Sequence, residues 1–434
     1  MTSDAARAVD RRLIALAVPA LFTLAAEPLY VLADTAIVGH LGTASLAGLG
    51  LASIVLFSAA GICNVLTWGT TSRVGFLKGA GDVDGVARVA ATVLWLALVL
   101  GGAIALLLVA GAPLILRSLG GNGLVLDRAT TYLRIGSLGL PALLIAWAGQ
   151  GVARGEGDTR GPLAVVVGSN ALNLVLEVWF VYGFHWGIAG SAWGTVIAQW
   201  AGAAVFATRL FRRGGASVRP DPHELRHIAT VGATIVVRTG ALLAALTAAS
   251  AVAARISATS LAAHQVIAQL NLFCALVLDA AAIAAQALVA EALGAGDAAR
   301  RDLIVRRSFR LTAIGSTVMF VTLLAGYRVL PAAFTHDDHV IDAAAAVMPI
   351  LAIAQFPGGA AYILDGLIMG AGNFTTAMWS TLAGLVAFAA AAVAVLARHS
   401  LGLQTLWIGL AVWLLLRALV NATGLRPERV RLSG

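Results

Sequence analysis

Among the ionisable side chains inside long apolar stretches of the chain, the ones to explain are Glu27, Asp34, Glu177, Arg238, Asp279 and Asp365. Each charge placed in hydrocarbon costs roughly 2.5–3.5 kcal/mol on insertion scales, so each requires a use. Glu27 and Asp34 are seven residues apart, which on a helix puts both on one face, about 10 Å apart along the axis. Pro28 between them removes a backbone hydrogen bond and predicts a bend. Asn170, Asn173 and Glu177 recur at i, i+3 and i+7, a polar stripe on an otherwise apolar helix. One turn apart, Asn173 and Glu177 present an amide oxygen and a carboxylate to a single ion. If the helices bearing Asp34 and Glu177 face each other, the two carboxyls become neighbours that hold a proton or share a cation. The bland use of the same side chains is hydrogen-bonded glue between helices.

A second pair, Arg238 and Asp365, would neutralise itself inside the bundle, either as a structural bridge or as a gating element. His264 and Gln265 are further candidates for a cavity lining, although a lone helical histidine is more simply a hydrogen-bonded one. Trp147, Phe273, Tyr362 and Trp379 among alanine-rich walls suit bulky amphipathic molecules and equally suit ordinary helix packing. No histidine, cysteine or carboxylate group has metal-ligand spacing, no nucleophile motif occurs, and no cofactor signature is present. The chain therefore reads as a binding and transport protein rather than an enzyme.

The elements that must position these groups are membrane helices. The 434 residues are 60% hydrophobic and only 12% charged, with a mean hydropathy of +0.90, far too apolar for a soluble domain. Apolar runs between polar breaks predict twelve spans, at 13–38, 44–69, 89–115, 129–153, 161–183, 187–209, 228–252, 259–290, 308–330, 342–369, 375–397 and 403–425. The first run carries Glu27 and Asp34 and is too long for a secretory leader, so it reads as a retained helix. Cys63 and Cys274 fall inside spans and read as small buried apolar side chains.

Three segments recur at one offset of 215 residues. Ser45-Leu46-Ala47 returns as Ser260-Leu261-Ala262, Gly79-Ala80-Gly81-Asp82 as Gly294-Ala295-Gly296-Asp297, and Gly155-x-Gly157-Asp158 as Gly370-x-Gly372-Asn373. A shared offset means two copies of one unit. Six spans per copy make the copies parallel, related by a pseudo-twofold axis along the membrane normal, with transport between them. The expected division is an N-lobe at 1–212 (spans 1–6), a cytoplasmic linker at 213–227 marked by Gly214-Gly215 and Pro220-Asp221-Pro222, and a C-lobe at 228–434 (spans 7–12). The Gly-x-Gly segments are turns at span ends, since no strand precedes them. The coupling residues are not duplicated: Asp34 maps to Ala249, Asn173 to Phe388 and Glu177 to Ala392. Glue would be expected in both copies, whereas a one-copy feature fits a specialised ion site.

The net charge of +8 is a topology signal rather than a nucleic-acid footprint. With the N-terminus cytoplasmic, inside segments hold Arg7, Arg11, Arg12, Arg73, Lys78, Arg88, Arg154, Arg160, the 209–226 and 300–310 runs and the C-terminal arginines, which places both termini inside. Arginine nearly replaces lysine and alanine is abundant, a composition of GC-rich bacterial genomes. The expected location is the bacterial cytoplasmic (inner) membrane, with lipids and small organic molecules as partners and no nucleic acid.

These residues resemble the multidrug and toxic compound extrusion (MATE) family, nearest its DinF-like branch. The resemblance rests on Pro19, Glu27-Pro28, Asp34-Thr35-Ala36-Ile37-Val38-Gly39-His40-Leu41-Gly42, the paired Gly-Ala-Gly-Asp turns, Asn173-Leu174-Val175-Leu176-Glu177 and the Gly190 to Gln199 stretch. Arg238-Thr239 and Asp365-Gly366 resemble the DinF-like branch in particular. The resemblance implies an all-α membrane protein of two six-helix lobes. It also implies export of organic, amphipathic or cationic compounds by alternating access, driven by protons or sodium. It further implies an N-lobe cation site at Asp34, Asn173, Glu177 and Thr195, with Glu177 one methylene longer than the aspartate usual there. Some members couple through C-lobe carboxylates, for which Asp365 is the deep candidate. A lipid-linked precursor flippase is the alternative on the same architecture, and it calls for more cavity arginines than Arg238.

Overall fold

The computed structural model describes residues 3–63, 65–213, 220–398 and 401–425. Gly214-Gly215 of the linker and the C-terminal arginines lie outside the described residues. All regular structure among the described residues is helical. The helices are α1 (Ser3–Gly39), α2 (Thr43–Ile62), α3 (Val65–Gly79), α4 (Val83–Ser118), α5 (Gly123–Ser137), α6 (Leu140–Gly155), α7 (Arg160–Val178) and α8 (Ile188–Arg213). They continue as α9 (Pro222–Ile256), α10 (Ala258–Gly294), α11 (Ala298–Ala325), α12 (Val329–Ala332), α13 (Asp338–Ala345), α14 (Met348–Gly370), α15 (Phe374–Ala397) and α16 (Gly402–Gly424). All twelve sequence spans fall on these helices. Ten helical stretches among the described residues are long and apolar enough to cross a bilayer, and α5 with α6, bent by 47°, supplies an eleventh. The span at 187–209 falls on α8. α1 runs unbroken through Pro19 and Pro28.

The 215-residue repeat is a repeat of geometry. Asp82 caps α4 by accepting from the Gly85 amide at 2.7 Å, and Asp297 caps α11 by accepting from the Arg300 amide at 2.8 Å. Asp158 and Asn373 likewise accept from the Gly161 and Thr376 amides at 2.8 and 3.1 Å. A side-chain oxygen at these places satisfies an amide that the first helical turn leaves without a partner. Gly157 and Gly372, with φ of 80° and 76°, make the preceding turns left-handed, which glycine does without strain. The helix crossings repeat as well. Gly151 and Gly155 lie against the Thr67 and Thr71 carbonyls, while Gly366 and Gly370 lie against those of Ala282 and Gln286. Small residues one turn apart allow this backbone approach between membrane helices.

The chain folds into two compact units, one at Phe22–Gly232 and the other formed by Met1–Leu21 with Ala233–Gly434. The boundary passes through α1 and α9 instead of through the linker, and the packing explains why. Val9, Leu13 and Leu16 share a core with Ala284, Leu288, Val289, Ile304 and Ile363. Arg12 donates to both carboxylate oxygens of Glu291, at 3.1 and 2.9 Å, and Arg307 pairs with Asp10. In the first unit, Arg73 on α3 makes a bidentate pair with Glu224 on the first turns of α9, closest at 2.7 Å. Guanidinium forks fix orientation as well as distance.

Candidate functional site

In the first unit, α1, α7 and α8 bring their polar faces together. Asp34, Asn173 and Glu177 are buried, Glu177 completely. Ser191 on α8 donates its hydroxyl to Asp34 Oδ1 at 2.8 Å. Asn173 Nδ2 donates to Thr195 Oγ1 at 3.0 Å, and the Thr195 hydroxyl donates to the Ser191 carbonyl at 3.1 Å. Thr195 Oγ1 is also 3.0 Å from the Tyr30 hydroxyl, which, with the threonine proton committed, acts as the donor. Asn170 Nδ2 donates to the Ala26 carbonyl on α1 at 3.2 Å. Asp34 and Ser191 are near neighbours of Glu177.

The hydroxyl protons of Tyr30, Ser191 and Thr195 are thus spent, and what remains is acceptors. Asn173 Oδ1 and both carboxylate oxygens of Glu177 are buried without a hydrogen-bond partner. Each orphaned buried polar atom costs about 1–3 kcal/mol. Three orphaned acceptors around two carboxyls make a site that a positive charge would satisfy, whether a proton on a carboxyl oxygen or a small hard cation held by oxygens. Glu27 stands apart: its side chain is exposed, and no hydrogen bond among the described residues joins it to this cluster.

Tyr30 and Ser191 are absent from the candidates read in the sequence, and both carried a signal. Tyr30 lies one turn before Asp34 on α1, and Ser191 one turn before Thr195 on α8, the spacing that stacks side chains on one helix face.

The second unit holds its own polar cluster, of opposite character. Asp365 on α14, 2% exposed, accepts from Arg238 Nη2 on α9 at 2.7 Å through Oδ2. The same oxygen accepts from Arg417 on α16, and Oδ1 accepts from Asn421 Nδ2 at 2.6 Å. Arg417 is fully buried and lies 5.7 Å from the ring centres of both Tyr362 and Trp413, within range for cation–π attraction. Asp279 on α10 is within electrostatic reach of Tyr362 and Arg417. Sequence inspection paired Arg238 with Asp365 and passed over Arg417 and Asn421, although a guanidinium inside an apolar span is itself a signal. Gln265 is exposed, His264 Nε2 is 3.3 Å from Ser250 Oγ, and neither touches this cluster. Trp147 is partly buried and packs against the first unit's apolar core. No group of three or more histidine, cysteine or carboxylate side chains among the described residues is arranged to hold a metal ion.

A family model described as MatE matches residues 19–179 and 241–396, one segment in each repeat. The chain is 31% identical over 364 residues to DNA damage-inducible protein F of Escherichia coli, covering 82% of this chain and 78% of that protein. It is also 31% identical over 342 residues to Protein DETOXIFICATION 43 of Arabidopsis thaliana, covering 77% of this chain and 64% of the plant protein, so the match leaves about a third of that relative unmatched. Among solved structures, the bent form of the Vibrio cholerae MATE transporter VcmN superposes with a TM-score of 0.91 at 20% identity, over 98% of this chain and 99% of that one. With the family model matching both repeats and the two-lobe architecture shared throughout, this multi-pass membrane protein belongs to the MatE family, the multidrug and toxic compound extrusion proteins, with DNA damage-inducible protein F among its relatives.

Proposed function

We propose that the protein is a cation-coupled antiporter that exports organic, amphipathic or cationic compounds by alternating access, with the coupling ion, a proton or sodium, received by Asp34, Asn173, Glu177 and Thr195. The observation that carries this reading is the set of three buried acceptors, Asn173 Oδ1, Glu177 Oε1 and Glu177 Oε2, left without donors beside Asp34. Such a set is costly in a purely structural cluster and is relieved when an ion arrives. Tyr30 and Ser191 position the site: Ser191 fixes one oxygen of Asp34, and Tyr30 fixes Thr195. Names support the export direction, since a relative from Thermotoga maritima, 23% identical, carries the name probable multidrug resistance protein NorM. If ion binding weakens cargo binding, linkage requires that cargo binding expel the ion to the same degree.

The lipid-linked precursor flippase draws no support from the arginines. Arg238 and Arg417 both donate to Asp365, whose carboxylate offsets part of the positive charge that a diphosphate would need. Export of a fluorescent cationic dye from proteoliposomes, with proton and sodium gradients imposed separately, tests the reading. Export should follow one gradient in the wild type and be lost in Asp34→Asn while insertion is retained. Export that ignores both gradients, or that survives the substitution, would overturn it.

A further inference from the structure

The turn that joins α7 to α8 carries a concentration of aromatic rings that the ion site does not use. α7 ends in a single π-helical turn, Trp179–Gly183, closed by the Phe184 amide donating to the Trp179 carbonyl at 3.0 Å. The Trp186 amide then folds back onto the Phe180 carbonyl at 3.0 Å. His185, with φ of 58°, is the one non-glycine residue in a left-handed conformation among the described residues, so the loop spends conformational energy to hold this shape. The result is a stacked group of rings: Phe180–Trp186 at 5.0 Å, Trp179–Phe184 at 5.2 Å and Phe184–Trp186 at 5.5 Å between centroids. Phe180 is buried beneath the group, whereas Trp179, Tyr182, Phe184 and Trp186 are 42–55% exposed.

Four large rings held rigid and half-exposed need an occupant for the surface they present. Residues 178–190 contain no aspartate, glutamate, lysine or arginine, so nothing there favours a charged partner. The exposed side of α7 leads into the cluster without interruption, through Val175 and Val178 to Trp179, and α7 with its π turn is one of the stretches able to cross the bilayer. The opposite end of the same span begins at Arg160 beside Asp158. Continuity with a lipid-facing surface, rings with a polar edge on Trp and Tyr, and absence of charge are the combination that settles at the headgroup boundary.

We propose that the Trp179–Trp186 turn is a lipid-interface anchor, seated at the boundary between headgroups and acyl chains, that holds the far end of α1 through Tyr182. The link is specific. The last four carbonyls of a helix lack intrahelical partners, and at the end of α1 each has one: the His40 ring for Ala36 at 2.7 Å, the Tyr182 hydroxyl for Ile37 at 2.9 Å, the Leu41 amide for Val38 and the Gly42 amide for Gly39. Ile37 lies three residues beyond Asp34, and Trp179 two residues beyond Glu177, so the anchor meets both carboxyl-bearing helices within one turn of their carboxyls. The corresponding positions of the second repeat, Ala394, Val395, Ala397 and Leu401 for Trp179, Phe180, Tyr182 and Trp186, hold no aromatic residue. The anchor therefore occurs only in the repeat that has the carboxyl pair. Its seating in lipid is independent of the coupling reading; its consequence for transport rests on that reading.

The full-length protein in phosphatidylcholine vesicles gives the test. The tryptophan fluorescence lost in Trp186→Phe and in Trp179→Phe, taken as a difference from wild type, should be quenched most by lipids brominated near the glycerol end of the chain, and weakly by lipids brominated near the methyl end or by aqueous iodide. Quenching chiefly by iodide would place the turn in water, quenching chiefly by deep bromines would place it in hydrocarbon, and either overturns the anchor. Should a variant fail to insert, unaltered protein reconstituted with a lipid bearing a photoactivatable group beside its headgroup supplies the same decision. Adducts on the 179–186 peptide are expected, and their absence, with adducts on other span ends, would overturn the proposal. Tyr182→Phe keeps the ring in the interface and removes the link to Ile37: the quenching pattern should stand, and amide exchange at the end of α1 should accelerate.

Discussion

Asp34 and Ala249 occupy the same place in the two repeats, 215 residues apart, yet Asp34 accepts a hydrogen bond from Ser191 while Ala249 is fully buried in an apolar core. The substitution of polar by apolar is complete across the site. Tyr30, Asn173, Glu177, Ser191 and Thr195 correspond to Ala245, Phe388, Ala392, Leu406 and Leu410, and all five belong to that same core. One copy of a duplicated bundle keeps a polar cluster where the other keeps packing, which is the pattern expected if the polar version is retained for use and not for stability.

Stability should therefore rise when the cluster loses its charge. Glu177→Gln removes a buried carboxyl whose oxygens have no partner and replaces it with a neutral group of nearly the same shape. The expected result is thermal stability in detergent equal to wild type or higher, by up to about 1–3 kcal/mol, together with loss of ion-driven export. A strongly destabilised Glu177→Gln would mean that the carboxylate is structural.

The converse holds in the second unit. Asp365 is the shared counter-charge of Arg238 and Arg417, and removing one member of a buried ion cluster costs about 3–5 kcal/mol because the remaining charges stay buried. Asp365→Asn should be destabilised by that order in a thermal unfolding assay. Arg238→Gln should cost clearly less, because Asp365 keeps Arg417 and Asn421 and position 238 is the more exposed. Equal costs for the two variants would show that Arg238 is the indispensable partner.

How much of this was legible in the sequence depended on whether a signal was local. The helices, the repeat and the turns were legible because they arise from hydropathy, turn chemistry and one constant offset. Asp34, Asn173 and Glu177 were legible because a charge or amide in an apolar span stands out against its neighbours. Ser191 and Tyr30 carried only the weaker signal of one-turn spacing to Thr195 and Asp34, since a hydroxyl is cheap in a membrane helix and its partner across the bundle is set by packing. Arg417 was missed for another reason: α16 already reads as a span without it, so the guanidinium did not alter the segment and its pairing with Asp365, 52 residues away, is a tertiary fact. Glu27 is a different case, for its helical phase with Asp34 suggests a shared site, whereas its side chain is exposed and makes no hydrogen bond to the cluster among the described residues.

Placing the polar cluster into the other repeat should fail for the physical reason that keeps the second copy apolar. Ala249→Asp puts a carboxyl among Ala245, Phe388, Ala392 and Leu406, with no Ser191 equivalent to donate to it. Burial of a polar group without a hydrogen bond costs about 1–3 kcal/mol on mutational scales and more for a charge, so a low yield of folded protein is expected in a size-exclusion assay. Ala249→Asp combined with Leu406→Ser restores the donor and should recover part of the loss. No recovery would show that the two bundles differ in backbone spacing as well as in side chains.

The repeated glycine crossings make a prediction of their own, because they separate packing from function. At Gly366 an added methyl would overlap the Ala282 backbone, and at Gly370 it would meet the Gln286 carbonyl at 2.6 Å, whereas nothing lies within 4 Å of the corresponding point at Gly102. Backbone cannot swing aside as a side chain can, so Gly366→Ala and Gly370→Ala must push α14 from α10. Overpacking of this kind costs about 1–3 kcal/mol, while Gly102→Ala should be neutral or slightly stabilising in a helix interior. Gly366 and Gly370 flank no part of the first unit's polar cluster, so, on the proposed coupling there, the surviving folded fraction of each variant should export with unaltered ion dependence per folded molecule. A change in that dependence, measured in proteoliposomes normalised to folded protein, would mean that the α10–α14 crossing moves during the transport cycle.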